Sequence, residues 1–284
     1  MAEEENGAAP ARNPRADAFP KELRVMIAIP AHGRTVYVNC AMALANLVGV
    51  FAAQRVPYRM HSIADAIIGR ARNSIAAEFL ADDKNWTHLV MLDSDVGFNL
   101  RDLLRMIAFN KDVVGCALPK RQYDTTAIPA AGVKSWDEAQ AYMARFTADL
   151  LLDEDHQMQA TSGFVQARHV ATAVMVVKRR VFETMIEKNA VQKIQPDVEL
   201  QPGRAEKFYG FFEPMVDPET RSYVGEDFAF CRRWREICGG EIWCDLQGEY
   251  VHTGPYDFRG NILKTIQARG GRIDRKTPGS AANG

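Results

Sequence analysis

The sequence predicts an α/β fold with a doubly wound, mostly parallel central sheet flanked by helices. Short apolar segments with strand character alternate with segments of helical spacing through the first half of the chain. One strand segment, residues 87–92, is apolar almost throughout, which is typical of a strand buried in a parallel sheet. The chain has 284 residues, of which 47% are hydrophobic, and this is enough for one large core.

The first half follows the order β-α-β-α-β and then adds a helix and a strand. Residues 23–29 form a short apolar run with β-branched residues that ends at Pro30 and Gly33, which predicts a strand and a turn. The other predicted elements of this half are a helix over 35–54, a strand over 58–63, a helix over 70–80, a strand over 87–92, a helix over 100–109 and a strand over 112–117. This succession is typical of a doubly wound half of nucleotide-binding type.

The second half is less regular. Its predicted elements are a helix over 134–149, a strand over 171–177, a helix over 179–188, a helix over 226–238, a short strand over 241–244 and a loop over 250–260. Residues 187–221 are polar and contain several prolines and glycines, which predicts a long loop. A loop of this length is usually disordered or a functional lid.

Composition predicts three regions. Residues 1–21 are acidic before they are basic and lack an apolar segment, so we expect a flexible leader and not a signal peptide. Residues 22–260 hold the predicted elements, and we expect them to form one domain. Residues 261–284 are basic and then rich in glycine, which predicts a flexible tail.

The composition also argues against several classes of protein. A formal net charge of -1 gives no general attraction to DNA or to anionic lipid. No apolar run approaches the roughly 20 residues of a membrane helix, so we expect a soluble chain with no membrane span. The five cysteines form no CxxC pair, which favours reduced thiols and a cytoplasmic location.

Two aspartates follow the buried strand, in the segment Asp93-Ser94-Asp95. A parallel strand brings its carboxyl end to the ligand crevice of an open α/β sheet. Carboxylate oxygens suit Mg²⁺ or Mn²⁺, and such ions combine one or two protein carboxylates with phosphate oxygens of a substrate. The segment therefore predicts a metal–diphosphate centre. The alternative is a plain turn after a strand, because aspartate favours turns.

Two later segments add groups of the same kind. Glu226 and Asp227 open a predicted helix, where acids are either partners of the helix dipole or catalytic carboxylates. His252 lies in a predicted loop, where a histidine is either structural or a ligand for an ion such as Mn²⁺. These further groups favour a functional role for the aspartate pair over a plain turn.

Taken in chain order, these motifs resemble the GT-A glycosyltransferases, especially the family-2-like group that uses a nucleoside-diphosphate-sugar donor. The resemblance spans residues 23–260 and implies the GT-A form of the fold, with a smaller subregion on the acceptor side. The Asp-x-Asp motif of the family matches Asp93-Ser94-Asp95, its helix-opening acids match Glu226 and Asp227, and its late metal-binding histidine matches His252.

The resemblance also implies individual roles. It assigns Asp93, Asp95 and His252 to a Mn²⁺ or Mg²⁺ ion, and it makes Asp227, with Glu226 as second choice, the base that takes the proton of the acceptor hydroxyl. The residues that it implies for nucleotide binding are Pro30, Ala31, His32, Asp65, Arg72, Asn73, Asp93 and Ser94. Four basic residues lie near predicted strand ends, where each is either a phosphate partner or a solvated surface charge: Arg70, Arg72, Lys120 and Arg121. The solvated alternative is favoured for Lys120.

The expected activity is metal-dependent transfer of a sugar from a nucleoside-diphosphate sugar to an acceptor hydroxyl. The sequence leaves the acceptor open among a glycan, a lipid, a protein and a modified nucleobase, and it leaves the oligomeric state open. The alternatives are a nucleotidyltransferase of the same architecture and a non-catalytic protein that binds nucleotides or sugars. No glycine-rich phosphate loop follows the first strand, which argues against nucleotidyltransferases, dehydrogenases and phosphate-loop ATPases.

Overall fold

A ten-stranded mixed sheet runs through residues 19–153 and 157–275, which are the residues that the computed structural model describes. The strands are β1 (Val25–Pro30), β2 (Tyr58–Ile63), β3 (His88–Leu92), β4 (Val96–Phe98), β5 (Val113–Cys116), β6 (Leu118–Tyr123), β7 (Ala144–Leu150), β8 (Met158–Thr161), β9 (Phe164–Lys178), β10 (Met215–Val216), β11 (Tyr223–Val224), β12 (Ile242–Asp245), β13 (Tyr250–Thr253), β14 (Asp257–Gly260) and β15 (Ile273–Arg275). The helices are α1 (Val38–Ala53), α2 (Ile68–Ala81), α3 (Leu100–Phe109), α4 (Trp136–Met143), α5 (Arg179–Glu187), α6 (Glu226–Arg232) and α7 (Ile262–Ala268).

The centre of the large sheet has the strand order β12-β5-β9-β3-β1-β2. Strand β1 is parallel to both β2 and β3, and β12 is parallel to β5, whereas β9 is antiparallel to its neighbours. Side chains of β1 alternate between two buried clusters, with Met26 in the cluster that contains α2 residues and Ile27 in the one that contains α1 residues. The predicted α/β fold, with a mostly parallel central sheet and flanking helices, is confirmed.

A second, three-stranded sheet of β4, β13 and β14 holds His252. The sequence predicted a loop over 250–260, and this prediction was wrong, because residues 250–253 and 257–260 form an antiparallel hairpin. Tyr250 pairs with Phe98 on one side and with Gly260 on the other. The partner strand β4 comes from a distant part of the chain, so the local pattern did not reveal it.

The segment 134–149 also differs from its prediction as a single helix. Helix α4 begins after Ser135, whose hydroxyl accepts a hydrogen bond from the N–H of Glu138, and it ends at Met143. Residues 144–150 continue as β7, which pairs with β6 and β9. Pairing with these two strands outweighs the helical propensity of the local sequence.

The predicted flexible tail over 261–284 contains two regular elements within the described residues. Helix α7 places Ile262 in the core, and Ile273 of β15 packs against the same core while β15 pairs with β8. Residues 1–18 of the predicted leader and 276–284 of the predicted tail lie outside the described residues. Among the helices described, none combines the length and the apolar character that a membrane crossing requires.

Candidate active site

Asp93 lies directly after β3, at the sheet edge where the parallel strands β1, β2 and β3 end. Its backbone N–H donates to the carbonyl of Ala173 on β9, over 2.9 Å, which fixes the turn that follows the strand. Its Oδ1 accepts a hydrogen bond of 2.8 Å from Nη2 of Arg72. The first predicted acid is therefore held by an arginine of α2.

Arg72 joins the first acidic segment to the second. Its side chain is 4% exposed, and its Nη1 donates to Oε1 of Glu226, over 2.5 Å, at the start of α6. Asp93 and Glu226 lie 133 residues apart in sequence, yet each accepts a hydrogen bond from one of the two terminal nitrogens of the buried Arg72 guanidinium. Charge-assisted bonds of this kind fix geometry and cannot be released to water at low cost, because Arg72 is buried.

Asp227 is the acid with the most altered proton affinity in this cluster. Burial, followed by repulsion from Glu226, raises the pKa of Asp227 to about 6. The negative charge of Asp93 acts in the same direction, whereas Arg72 lowers the pKa. The Oδ1 atom accepts a hydrogen bond of 2.8 Å from the N–H of Phe228. Asp227 is thus a carboxylate that titrates close to neutral pH inside an acidic cluster.

Asp95 and His252 form a second part of the site. The Nε2 of His252 lies 3.7 Å from Oδ2 of Asp95, and the guanidinium of Arg121 contacts the same carboxylate. The Nδ1 of His252 lies 3.0 Å from the carbonyl oxygen of Pro119. A carbonyl only accepts, so Nδ1 carries the proton and Nε2 keeps its lone pair in the neutral ring. Burial lowers the pKa of His252, which favours this neutral form.

This pair fits a divalent cation, whereas the predicted set of three ligands is not assembled. A neutral imidazole nitrogen beside a carboxylate oxygen is a donor set that Mn²⁺ accepts, and the bond from Nδ1 to a carbonyl is the usual support for a ligating histidine. Asp93 is instead bonded to Arg72. Within residues 19–153 and 157–275, no group of three histidine, cysteine, aspartate or glutamate side chains is arranged to hold a metal ion.

The residues predicted to contact a nucleoside lie at the ends of β1 and β2. Pro30 and Ala31 are buried, and the N–H of Ala31 donates to the carbonyl of Ile63 over 2.8 Å. His32 is exposed, and its Nδ1 lies 3.2 Å from the backbone oxygen of Asp65. The structure therefore brings these four predicted residues to the same sheet edge as Asp93.

The carboxylate of Asp65 is already paired within the protein. It accepts bonds of 2.7 and 2.8 Å from the guanidinium of Arg70, which lowers the pKa of Asp65. The other end of Arg70 reaches Asp197 in the long loop after α5, over 2.7 Å. Arg70 therefore links the predicted nucleoside edge to that loop.

Asn73 and Ser94 use polar groups for internal contacts. Asn73 is 1% exposed, and its side chain accepts from the N–H of Phe212 over 2.8 Å and donates to Glu213 over 2.7 Å. The carbonyl of Ser94 accepts from the N–H of Tyr37 over 2.9 Å. Asn73 is thus a buried anchor for the segment that leads to β10, and its amide is not directed at the open site.

Sequence reasoning missed the structural partners of the site. Glu213, which holds Asn73, and Pro119, whose carbonyl fixes the tautomer of His252, carried no signal in their local sequence. Phe211 and Phe212, which lie between the long loop and α6, are fully buried and belong to the core. A groove of about 690 Å³ is lined by Gly97, Val251 and Arg259 among others. Val251 pairs with Gly97 and Arg259. Its side chain lies on the face of the three-stranded sheet opposite to that of His252, so this groove is separate from Asp93, Glu226 and Asp227.

No protein-family model and no curated protein matches the chain. Among solved structures, A197 from STIV is 14% identical, with 82% of this chain and 86% of that chain covered and a TM-score of 0.40. The catalytic domain of Drosophila β1,4-galactosyltransferase 7 in complex with xylobiose is 14% identical, covers 90% and 82% respectively, and has a TM-score of 0.41. The 4-diphosphocytidyl-2C-methyl-D-erythritol synthase from Anaerococcus prevotii is 9% identical, covers 76% and 100%, and has a TM-score of 0.32. Each likeness is distant, so the site itself must carry any conclusion about function.

Proposed function

We propose that the chain is a GT-A-type glycosyltransferase that moves a sugar from a nucleoside-diphosphate sugar to an acceptor hydroxyl. The observation that carries the proposal is the convergence of Asp93, Glu226 and Asp227 on the buried Arg72, at the carboxyl edge of the parallel strands. Ligands of open α/β sheets bind at that edge. Carboxylates held in fixed positions, one of them with a raised pKa, are suited to proton transfer there.

Asp227 is the proposed base. A base works best when its pKa lies near the operating pH, because it is then ionised and still takes up a proton readily. As the acceptor oxygen bonds to the anomeric carbon, its proton passes to the Asp227 carboxylate and the bond from that carbon to the diphosphate oxygen breaks. The products are the glycosylated acceptor, the nucleoside diphosphate and a protonated Asp227, which then loses its proton to solvent.

Arg72 and Glu226 position this base. Arg72 holds Glu226 and Asp93 on one guanidinium, and Glu226 is the negative charge that raises the pKa of Asp227 most. Removal of Glu226 would lower that pKa and would weaken Asp227 as a base. Glu226 therefore acts through Asp227 and not on the substrate.

The donor side of the site lies around Asp95, Arg121 and His252. Asp95 and His252 would hold the Mn²⁺ or Mg²⁺ ion, which supplies charge neutralisation for the leaving diphosphate when it is bound. Arg121 is 41% exposed in its side chain and contacts Asp95, so it is free to turn towards a phosphate oxygen as a forked donor. Pro30, Ala31, His32 and Asp65 would contact the nucleoside at the neighbouring strand ends.

The test is metal-dependent release of nucleoside diphosphate from a panel of nucleotide sugars. We expect release with at least one donor, loss of release after chelation, and loss of metal-dependent donor binding in Asp95→Ala. Release of pyrophosphate from a nucleoside triphosphate would instead identify a nucleotidyltransferase. Tight nucleotide-sugar binding without cleavage of any donor would identify a non-catalytic binding protein. Either result would overturn the proposal.

A further inference from the structure

Four aromatic side chains form a cluster, here called the aromatic platform: Tyr123, Trp136, Tyr256 and Phe258. The ring centroid of Tyr123 lies 5.2 Å from that of Phe258 and 6.2 Å from those of Tyr256 and Trp136. Trp136 is 57% exposed and Tyr256 is 47% exposed. Large aromatic rings are costly to leave in water, so two of the four present an unused apolar surface.

The aromatic platform adjoins the candidate active site. Phe258 pairs directly with His252 across β13 and β14, and side chains of directly opposed residues lie on the same face of a sheet. At the turn of this hairpin, a Cβ on Gly254 would lie 3.4 Å from Cδ of Arg121. Arg121 contacts Asp95, so the platform begins next to the proposed donor side.

A hydrogen bond to α4 holds the central ring of the platform in place. The hydroxyl of Tyr123 accepts a hydrogen bond of 2.8 Å from the amide of Gln140 on α4. The surface therefore combines aromatic faces with amide and hydroxyl groups at their edges.

We propose that the aromatic platform binds a sugar ring of the acceptor and that the acceptor is a glycan; this inference rests on the proposed function. A sugar ring has an apolar C–H face, which an aromatic ring covers, and hydroxyl groups at its edge, which need hydrogen-bond partners. Trp136 and Tyr256 supply the aromatic faces, and the amide of Gln140 and the hydroxyls of Tyr123 and Tyr256 supply hydrogen-bond partners. A lipid chain would require a continuous aliphatic surface, whereas this surface is made of aromatic rings with hydroxyl and amide groups beside them.

Trp136 provides a direct readout of occupancy. The other three tryptophans, Trp86, Trp234 and Trp243, are 2%, 5% and 7% exposed, so quenching of the intrinsic fluorescence by iodide reports mainly on Trp136. The probes are a panel of neutral and acidic pentose and hexose oligosaccharides, phosphatidylcholine vesicles and an unglycosylated peptide mixture. We expect at least one oligosaccharide to protect the fluorescence from iodide, and vesicles and peptides to give no protection.

The variants compare ring loss with ring retention. Tyr256→Ala should weaken binding of the protecting oligosaccharide by about fivefold or more, because one stacked ring is lost, and fivefold corresponds to about 1 kcal/mol. Trp136→Ala, measured by calorimetry, should do the same, whereas Trp136→Phe should stay within about threefold of the unaltered chain. Tyr223→Ala, which removes a 75% exposed ring outside the platform, is the matched control and should leave binding unchanged. Circular dichroism checks that each variant is folded.

Donor cleavage in the absence of an acceptor separates this inference from the proposed function. If no donor is bound or cleaved but oligosaccharides still protect Trp136, the proposed function fails and the platform remains a sugar-binding surface. If donors are cleaved, the inference is overturned by protection from vesicles or peptides alone, by no protection from any oligosaccharide, or by unchanged binding in both alanine variants.

Discussion

At the scale of single residues, the site depends on one buried arginine and the acids around it. The sequence predicted that Asp93, Glu226 and Asp227 belong together, but it did not predict that Arg72 would be buried between them. Side-chain burial depends on which helix covers the strand ends, and this is a property of the whole fold. For the same reason, Asn73 was expected to face a nucleotide and instead anchors Phe212.

Asp227→Asn should retain donor binding and lose transfer by about 10²–10⁴-fold, the usual contribution of general base catalysis. In the unaltered chain, kcat should fall as the pH drops through about 6, because protonated Asp227 cannot accept the acceptor's proton. Steady-state rates of both chains between pH 5 and 8, with donor affinity measured separately, test this. Normal transfer by Asp227→Asn would assign the base to another residue.

Asp227→Asn should also make the chain more stable at neutral pH. The folded-state pKa of Asp227 is raised to about 6 from 3.8, so the charged carboxylate destabilises the fold above pH 6, by no more than about 3 kcal/mol. This penalty shrinks as the pH falls from 6 to 3.8, where the group becomes protonated in both states.

Denaturant unfolding at pH 7.5 and pH 4 measures this difference. Asp65→Asn is the control and should make the chain less stable at pH 7.5. Arg70 lowers the pKa of Asp65, so the charge of Asp65 stabilises the fold above pH 3.8. A loss of stability in Asp227→Asn at pH 7.5 would show that the carboxylate makes contacts that outweigh its burial.

Arg121→Gln should tighten Mn²⁺ binding in the absence of donor, by up to about fivefold, because the arginine competes with the cation for Asp95. The same change should weaken nucleoside-diphosphate binding, since it removes the proposed phosphate partner. Titration calorimetry measures both, with Lys120→Gln on the same strand as the control. Weaker Mn²⁺ binding in Arg121→Gln would mean that the arginine supports the cation site.

At the scale of elements, sequence prediction succeeded where each end of a segment carries a local signal. Residues 100–109 were predicted and observed as a helix, because Asn99 caps its start and Asn110 adopts the left-handed conformation, with φ of 54°, at its end. The segments 134–149 and 250–260 lack such signals at the points where the structure changes. Their strands exist because distant strands pair with them.

Asn73→Ala should loosen the segment that precedes α6 without disturbing α2 itself. The buried N–H of Phe212 would lose its partner, which costs about 1–3 kcal/mol of unfolding free energy. Limited proteolysis within residues 194–213 should accelerate as well. Asn46→Ala, at an exposed position of α1, is the matched control and should change neither measurement. Unchanged proteolysis in Asn73→Ala would mean that other contacts, such as the pair of Arg204 and Glu78, suffice to hold the segment.

At the scale of the whole molecule, the parallel centre of the sheet was predictable and its margins were not. Strands β1, β2 and β3 are continuous apolar or alternating runs, whereas β8 and β15 are short strands at the margin that are defined by their contacts. The basic and glycine-rich composition predicted a flexible tail from residue 261. Average composition does not reveal single apolar residues, such as Ile262 and Ile273, that pack in or against the core.

Ile262→Ala should destabilise the entire fold and not only its C-terminal part. Ile262 is 8% exposed and belongs to the same buried cluster as Met26 of β1 and Phe230 of α6, so a cavity there removes contacts from the common core. Such substitutions cost about 2–5 kcal/mol. Lys264→Ala in the same helix loses only an exposed pair with Glu249 and should change stability by less than about 1 kcal/mol. If α7 were a separate, weakly attached element, both variants would unfold at the same denaturant concentration as the unaltered chain. A cooperative shift of one transition in Ile262→Ala alone requires that α7 folds with the sheet that positions the acids.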